Sequence, residues 1–169
     1  RKKNAKINDE IAVELVKKLD YDFSKADKDN AMTYGVIART IVLDRMVRKY
    51  LEKHENTVVV NIACGLDTRC YRMKGKYLRW YNVDLPETMK IRSQFLTETD
   101  PVYQIAKSAM DDSYIDDIDY HGKNILVIIE GLTMYSESYS NGRNHVTLCC
   151  KAYEREIHRG KQCKIHMGS

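Results

Sequence analysis

The sequence lacks a long apolar run, a signal-peptide pattern and a strong excess of one charge, and each absence excludes a class of protein. The longest aliphatic run, Ile125 to Ile129, is far shorter than the roughly 18 residues that a membrane-spanning helix needs. The 28 basic and 24 acidic side chains leave a net charge of +4, which is too small to indicate a nucleic-acid partner. We therefore expect a cytoplasmic protein with neither a membrane nor a nucleic-acid partner.

Cysteine usage argues against a covalent or metal-held framework. The five cysteines are odd in number and include no CxxC pair. This pattern favours reduced thiols over disulfides or a zinc site, and we expect no bound metal. The five are Cys64, Cys70, Cys149, Cys150 and Cys163.

What the chain does contain is enough for one globular domain with a buried core. Its 169 residues are 43% hydrophobic and 31% charged, a composition typical of folded proteins. Apolar residues recur at helical spacing from Ile7 to Leu19, with Asn8 as the expected N-cap, and again from Ile37 to Tyr50. We predict a single domain over residues 1–169, with a helical part at 1–56 and a sheet core at 57–169.

Short β-branched runs predict the strands of that core. Thr57–Ile62 and Asn124–Ile129 are typical of buried strands, and Pro86 is typical of the first turn of a helix. Weaker patterns predict strands at Tyr77–Val83, Val102–Met110 and Cys163–Met167, and a helix through Val146, Cys149, Tyr153 and Ile157 that ends at Gly160.

Strands that alternate with helices predict an α/β fold, here a Rossmann-like, mainly parallel sheet with helices on both faces. Such sheets bind ligands at the carboxyl ends of their strands. The residues of interest therefore lie at the junctions 63–68, 84–87, 110–113 and 130–135. A sheet that ends after four or five strands also leaves an exposed edge, which favours self-association into a homo-oligomer.

The first two junctions carry the features of a nucleoside site. Small residues at 63–65 let backbone N–H groups approach a ligand. Asp84 ends the next strand about twenty residues later, where a carboxylate can accept both hydrogen bonds of a ribose diol. Dinucleotide enzymes and class I methyltransferases share this geometry. The G-x-G-x-x-G fingerprint is absent, since Ala63, Gly65 and Thr68 occupy its places; this disfavours a pyrophosphate site but leaves a dinucleotide oxidoreductase as an alternative.

Two acidic residues at the later junctions have open interpretations. Asp111 either hydrogen-bonds an adenine amino group or is one solvated member of a loop with five aspartates. Glu130 directly follows five aliphatic residues. A carboxylate there either faces a charged ligand group or forms a buried ion pair.

Four segments, in order and spacing, resemble the leucine carboxyl methyltransferase family and its bacterial relatives among the polyketide-type O-methyltransferases. They are VVVNIACGLDTRCYRM, RWYNVDLPETMKIR, AKSAMDDSYIDDI and ILVIIEGLTMY. The upstream segments KLDYDFSK and IARTIVLDRMV resemble the family too, so that the resemblance covers Ile7 to Tyr135.

The resemblance implies a class I methyltransferase fold that binds S-adenosylmethionine. It places Arg39 at the cofactor carboxylate, Glu130 at the methionine amino end and Asp84 at the ribose hydroxyls. It also implies that the backbone around 63–65 lines the methionine and ribose, and that the acidic pair at 111–112 meets the adenine. The implied cofactor-binding set is Arg39, Ala63, Cys64, Gly65, Asp67, Asp84, Leu85, Asp111, Asp112 and Glu130.

The chain departs from the family pattern in three respects. Ala63 stands where relatives usually carry a glycine, and Tyr114 stands where an aromatic residue, commonly tryptophan, is usual. From the resemblance we expect the family's N-terminal covering segment and its terminal strand pair to be missing, and residues 136–169 match the family poorly. We therefore expect a shortened or altered family member.

The resulting hypothesis is an S-adenosylmethionine-dependent O-methyltransferase that acts on a small-molecule hydroxyl or carboxylate. A carboxylate acceptor needs no general base, whereas a hydroxyl acceptor does. The sequence names no catalytic residue. The alternative is a non-catalytic or impaired domain that binds S-adenosylmethionine.

Overall fold

A computed structural model describes residues 7–20, 30–119, 124–130 and 163–168 of the chain. Its strands are β1 Thr57–Ile62, β2 Arg79–Asp84, β3 Val102–Ala106, β4 Asn124–Glu130 and β5 Cys163–Gly168. Its α-helices are α1 Glu10–Lys18, α2 Asn30–Lys53, α3 Arg69–Arg72 and α4 Pro86–Phe95, and a 3-10 helix spans Asp112–Asp117.

The strands form one parallel sheet in the order β3-β2-β1-β4-β5. The chain moves outward from β1 through β2 to β3 and then returns to place β4 on the other side of β1. The strand order thus reverses between β1 and β4, and their last paired residues, Ile62 and Ile129, are in register. In open α/β sheets, ligands bind in the crevice at such a switch point.

Both faces of the sheet are buried. Successive residues of a strand point to opposite faces, so each strand contributes side chains to two separate hydrophobic clusters. One face packs against the segment around the 3-10 helix, and the other packs against α2. The first cluster includes Val58, Val60, Ile125, Val127, Tyr114 and Ile118. The second includes Val59, Leu126, Ile128, Leu43, Val47 and Leu51. The predicted α/β fold, a Rossmann-like parallel sheet covered on both faces, is confirmed.

Several predicted elements match the structure closely. β1 has the predicted bounds, β4 extends one residue further to Glu130, and α4 begins at Pro86. A strand is present at Cys163–Gly168 and pairs with β4. The helix predicted through Val146, Cys149, Tyr153 and Ile157, with its end at Gly160, lies outside the described residues.

Other local predictions are wrong for identifiable reasons. The N-cap of α1 is Asp9, whose carboxylate accepts a hydrogen bond from the N–H of Ala12 at 2.9 Å, and not the neighbouring Asn8. β3 ends at Ala106, because the following residues turn back through a bond from the N–H of Asp111 to the carbonyl of Ser108 at 3.0 Å. β2 begins at Arg79 rather than two residues earlier.

Candidate functional site

A cavity of about 370 Å³ lies at the switch point between β1 and β4. Its wall combines the end of β1, the turn that follows it, one side of α2 and the last residue of β4. Six of the lining side chains carry charge, so the cavity suits a polar ligand with groups of both signs. The lining residues are Asp9, Arg39, Thr40, Asn61, Ala63, Cys64, Leu66, Asp67, Thr68, Arg69, Arg72 and Glu130.

The turn after β1 has an unusual backbone. Ala63 and Gly65 have φ angles of 52° and 50°, in the left-handed region that disfavours side chains with a Cβ. A Cβ built on Gly65 meets no heavy atom within 4 Å, so open space lies beside this turn. The Cys64 N–H donates to the carbonyl of Val83 at 3.3 Å and thereby joins the turn to β2.

Asp84 closes the other side of the same turn. Its Oδ2 accepts a hydrogen bond from the N–H of Gly65 at 2.7 Å, and its Oδ1 accepts one from the N–H of Leu85 at 2.8 Å. A carboxylate has about four acceptor positions, so both oxygens keep capacity for hydroxyl donors. Asp84 does not line the switch-point cavity, but it lies directly against the turn that does.

An ion pair stands at the edge of the cavity. The Nε of Arg39 donates to Oε1 of Glu130 at 2.9 Å, although the residues are 91 positions apart. The side chains are 32% and 20% exposed, so both charges remain reachable from the cavity. This cation and anion are complementary in charge to a free amino acid: the guanidinium can bind its carboxylate, and the Glu130 carboxylate can bind its ammonium group.

Arg69, the first residue of α3, connects Glu130 to the interior. Its side chain is 2% exposed, and it donates to Asp44 Oδ1 at 2.7 Å, Asp67 Oδ2 at 2.7 Å and Glu130 Oε2 at 2.9 Å. Burial disfavours the charged guanidinium, but the carboxylates of Asp67 and Asp44 outweigh this effect and raise the pKa of Arg69. Arg69 therefore stays charged although it is buried, with a carboxylate on each of its three side-chain nitrogens.

Arg72 extends this ion network toward α1. Its Nε donates to Asp44 Oδ2 at 2.7 Å, and its Nη1 donates to the Asp9 carboxylate. Burial of Asp44 opposes ionisation, yet the hydrogen bonds from Arg72 and Arg69 outweigh it and lower the pKa of that carboxyl. The network thus ties α1, α2 and the cavity turn together.

A second buried network lies on the β2 side of the turn. The Nη1 of Arg92 donates to the carbonyl of Gly65 at 2.8 Å, and its Nε donates to Glu98 Oε1 at 3.0 Å. Asn82 also donates to Glu98 Oε1, at 2.9 Å, and Asn82 accepts from Asn61 at 3.3 Å. Gly65 is therefore held at its N–H by Asp84 and at its carbonyl by Arg92.

Cys64 lines the cavity as a buried free thiol. Burial raises the pKa of this thiol far above the ordinary range, although the charge of Arg92 acts in the opposite direction. A thiol without thiolate character is a poor nucleophile. Among the described residues, no group of three or more His, Cys, Asp or Glu side chains is arranged to hold a metal ion.

The family model for leucine carboxyl methyltransferase matches residues 1–138. The chain belongs to the leucine carboxyl methyltransferase family. This confirms the resemblance that the GLDTR, VDLP and EGLTMY motifs carry.

Two relatives illustrate the family relationship. The chain is 35% identical over 133 residues to the tetracenomycin polyketide synthesis O-methyltransferase TcmP of Streptomyces glaucescens, covering 76% of this chain and 48% of that protein. It is 29% identical over 147 residues to the S-adenosyl-L-methionine-dependent methyltransferase dpfgK of Gibberella zeae, covering 78% and 49%. The chain thus spans about half the length of these relatives.

Among solved structures, the N-methyltransferase NodS of Bradyrhizobium japonicum is similar with a TM-score of 0.48 at 13% sequence identity. The match covers 73% of this chain and 64% of that protein.

In this member of the leucine carboxyl methyltransferase family, the structure brings most of the sequence-predicted set to one place. Five members line the cavity, and two others, Gly65 and Asp84, adjoin it. The five are Arg39, Ala63, Cys64, Asp67 and Glu130. Their roles toward a cofactor stay predictions.

Leu85 and Asp111 are not among the residues that line the cavity. Leu85 is 48% exposed. Asp111 is exposed and caps the 3-10 helix, where its side chain accepts a hydrogen bond from the N–H of Ser113 at 3.0 Å. This backbone hydrogen bond lowers the pKa of Asp111. Asp112 is the first residue of that 3-10 helix.

Sequence reasoning missed the two buried arginines of the site. Arg69 and Arg92 are among the largest fully buried side chains of the described residues. The available signal for Arg69 was its position in GLDTR, immediately after a buried strand and a turn, where a cation meets the acidic residues at the strand ends. Arg92 gave no signal, since a basic residue in a helix is ordinarily solvated.

Proposed function

We propose that this chain binds S-adenosylmethionine at the switch point between β1 and β4 and belongs to an O-methyltransferase that acts on a small-molecule hydroxyl or carboxylate. Family membership supports the cofactor, and the relative TcmP, an O-methyltransferase, supports an oxygen acceptor. The observation that carries the proposal is the Arg39–Glu130 pair beside the Gly65–Asp84 contact, since together they provide partners for both ends of the cofactor.

The residues present fit this cofactor. Arg39 offers a cation for its carboxylate, and Glu130 offers an anion for its ammonium group. The free acceptor capacity of Asp84 suits the two hydroxyls of a ribose. The open space at Gly65 lets a ligand approach the backbone closely.

In this arrangement the described residues bind and orient the cofactor. S-adenosylmethionine supplies a methyl group on a sulfonium that is already electrophilic. For a carboxylate acceptor the remaining requirement is an oxygen held in line and close, which is a matter of proximity. A hydroxyl acceptor needs a general base as well. The charged wall of the cavity holds the amino-acid end in place, and the twice-held Gly65 keeps the turn in one conformation.

Two measurements test the proposal. Calorimetry measures the binding of S-adenosylhomocysteine, and an activity assay measures methyl transfer from S-adenosylmethionine to a panel of phenolic and carboxylate acceptors. We expect one binding site per chain and transfer to oxygen. A separate calorimetric titration with NAD is the comparison, because a dinucleotide oxidoreductase would bind that ligand. Tight NAD binding without S-adenosylhomocysteine binding would refute the proposed cofactor, and binding without transfer to any acceptor would refute the proposed reaction.

A further inference from the structure

Arg69 is buried at the point where three acidic residues from different parts of the chain converge. Asp44 belongs to α2, Asp67 to the turn after β1 and Glu130 to the end of β4. Each nitrogen of the guanidinium is committed to a different carboxylate. A planar, rigid fork of donors sets the relative directions of the groups it binds, which a lysine ammonium cannot do.

Neutralising charge does not by itself explain this residue. Glu130 also pairs with Arg39 at 2.9 Å, and Asp44 also pairs with Arg72 at 2.7 Å. The two cations on Glu130 differ in their surroundings: Arg39 is 32% exposed, whereas Arg69 is 2% exposed. Arg39 can therefore exchange Glu130 for a ligand, whereas loss of Arg69 would leave three partly buried carboxylates without the cation that they share.

We propose that Arg69 is a positioning residue: it holds Oε2 of Glu130 so that the carboxylate keeps its orientation when Arg39 turns from Oε1 to the carboxylate of a bound amino-acid group. This rests on the proposed function, because it assigns the ends of S-adenosylmethionine to Arg39 and Glu130. The freed oxygen of Glu130 then accepts the ammonium group. The same guanidinium binds both Glu130 and Asp67, so it links the end of β4 to the turn after β1.

Two ligands that differ only at the amino-acid end separate positioning from general stability. S-adenosylhomocysteine carries the carboxylate and the ammonium group, whereas 5′-methylthioadenosine carries the adenosine and the sulfur without them. We expect Arg69→Lys to weaken S-adenosylhomocysteine binding at least tenfold and to change the Kd of methylthioadenosine less than threefold. Calorimetry gives both constants for each variant.

Two comparison variants identify the cause of any change. Arg72→Lys disturbs the same ion network through Asp44 and Asp9 without touching Glu130, so we expect it to change both constants by the same factor. Arg79→Lys alters a half-exposed ion pair between Arg79, the first residue of β2, and Asp119, and we expect it to change neither dissociation constant.

The outcomes distinguish this inference from the proposed function. Absence of S-adenosylhomocysteine binding to the unmodified chain would refute the proposed function itself. Binding to the unmodified chain, with equal loss for both ligands in Arg69→Lys, would overturn the positioning role alone. If Arg69→Lys shows no cooperative unfolding transition, the dissociation constants of S-adenosylhomocysteine and methylthioadenosine are measured in Arg69→Gln instead. Failure of both variants to fold would assign Arg69 a purely structural role and also overturn the inference.

Discussion

The N–H of Gly65 donates to Oδ2 of Asp84 at 2.7 Å, which joins the ends of two adjacent parallel strands directly beside the cavity. Asp84 therefore has a role in the structure of the turn even without a ligand. Its second oxygen is held by the N–H of Leu85, so the carboxylate is oriented before any hydroxyl reaches it. Preorganisation of this kind reduces the entropy lost on binding.

Asp84→Ala is expected to weaken S-adenosylhomocysteine binding roughly 5- to 150-fold, since hydrogen bonds to a charged acceptor contribute about 1–3 kcal/mol. Calorimetry provides the Kd. Asp116→Ala, an exposed aspartate on the 3-10 helix, is the matched control and should leave the Kd unchanged. Equal affinities for all three proteins would remove Asp84 from the cofactor site.

Ala63→Gly is expected to stabilise the chain slightly. Alanine at a φ of 52° carries a cost of about 1–2 kcal/mol, whereas glycine loses about 0.5–1 kcal/mol through extra backbone entropy in the unfolded state. The difference predicts a Tm increase of about 1–3 °C in thermal unfolding. Ala63→Val should lower the Tm, because a β-branched side chain fits the left-handed region poorly. A lower Tm for the glycine variant would contradict the claim that the backbone of Ala63 is strained.

Asp44 makes the stability of the chain sensitive to acid. Hydrogen bonds from Arg72 and Arg69 lower the pKa of this carboxyl in the folded state, despite burial, whereas the unfolded chain should titrate near pH 3.9. The unfolded state then binds more protons in the window between these pKa values, so this contribution is complete above the unfolded value and falls as pH falls through the folded one.

Urea unfolding of the unmodified chain and Asp44→Asn measures this contribution. We expect a free-energy difference between the two proteins that is constant from about pH 5 to 7 and shrinks below about pH 4. A difference that persists unchanged at pH 3 would show that the charge of Asp44 does not carry the effect.

Substitutions of Arg92 and Glu98, which form a buried ion pair, are expected to have non-additive effects on the free energy of unfolding. Both side chains are almost fully buried, and Oε2 of Glu98 has no hydrogen-bond partner in the described structure. Arg92→Met should cost about 3–5 kcal/mol of unfolding free energy, because it leaves a buried carboxylate without its cation. The double variant Arg92→Met/Glu98→Gln should recover part of that loss in urea unfolding. Additive losses would mean that the two charges do not interact.

Local composition sufficed for the parts of the fold where burial and strand propensity agree. The β-branched runs of β1 and β4 and the proline at the start of α4 needed no tertiary information. The N-cap was misplaced by one residue because Asn8 and Asp9 have similar capping preference; only the bond from Ala12 separates them.

The candidate site was predictable where an acidic residue ends a strand. Asp84 and Glu130 followed from that rule, whereas Arg39 required the family resemblance, since its partner lies 91 residues away. Arg69 had a local signal in its position within GLDTR, whereas nothing local shows that the side chain of Arg92 is buried among distant polar groups. Their partners Glu130 and Glu98 are identified only by the fold.

The most direct test of the account is a crystal structure of the chain with S-adenosylhomocysteine. We expect the amino-acid end of the ligand between Arg39 and Glu130, and the ribose hydroxyls on Asp84. A ligand bound away from the β1–β4 switch point, or turned so that its ribose meets Glu130, would contradict it.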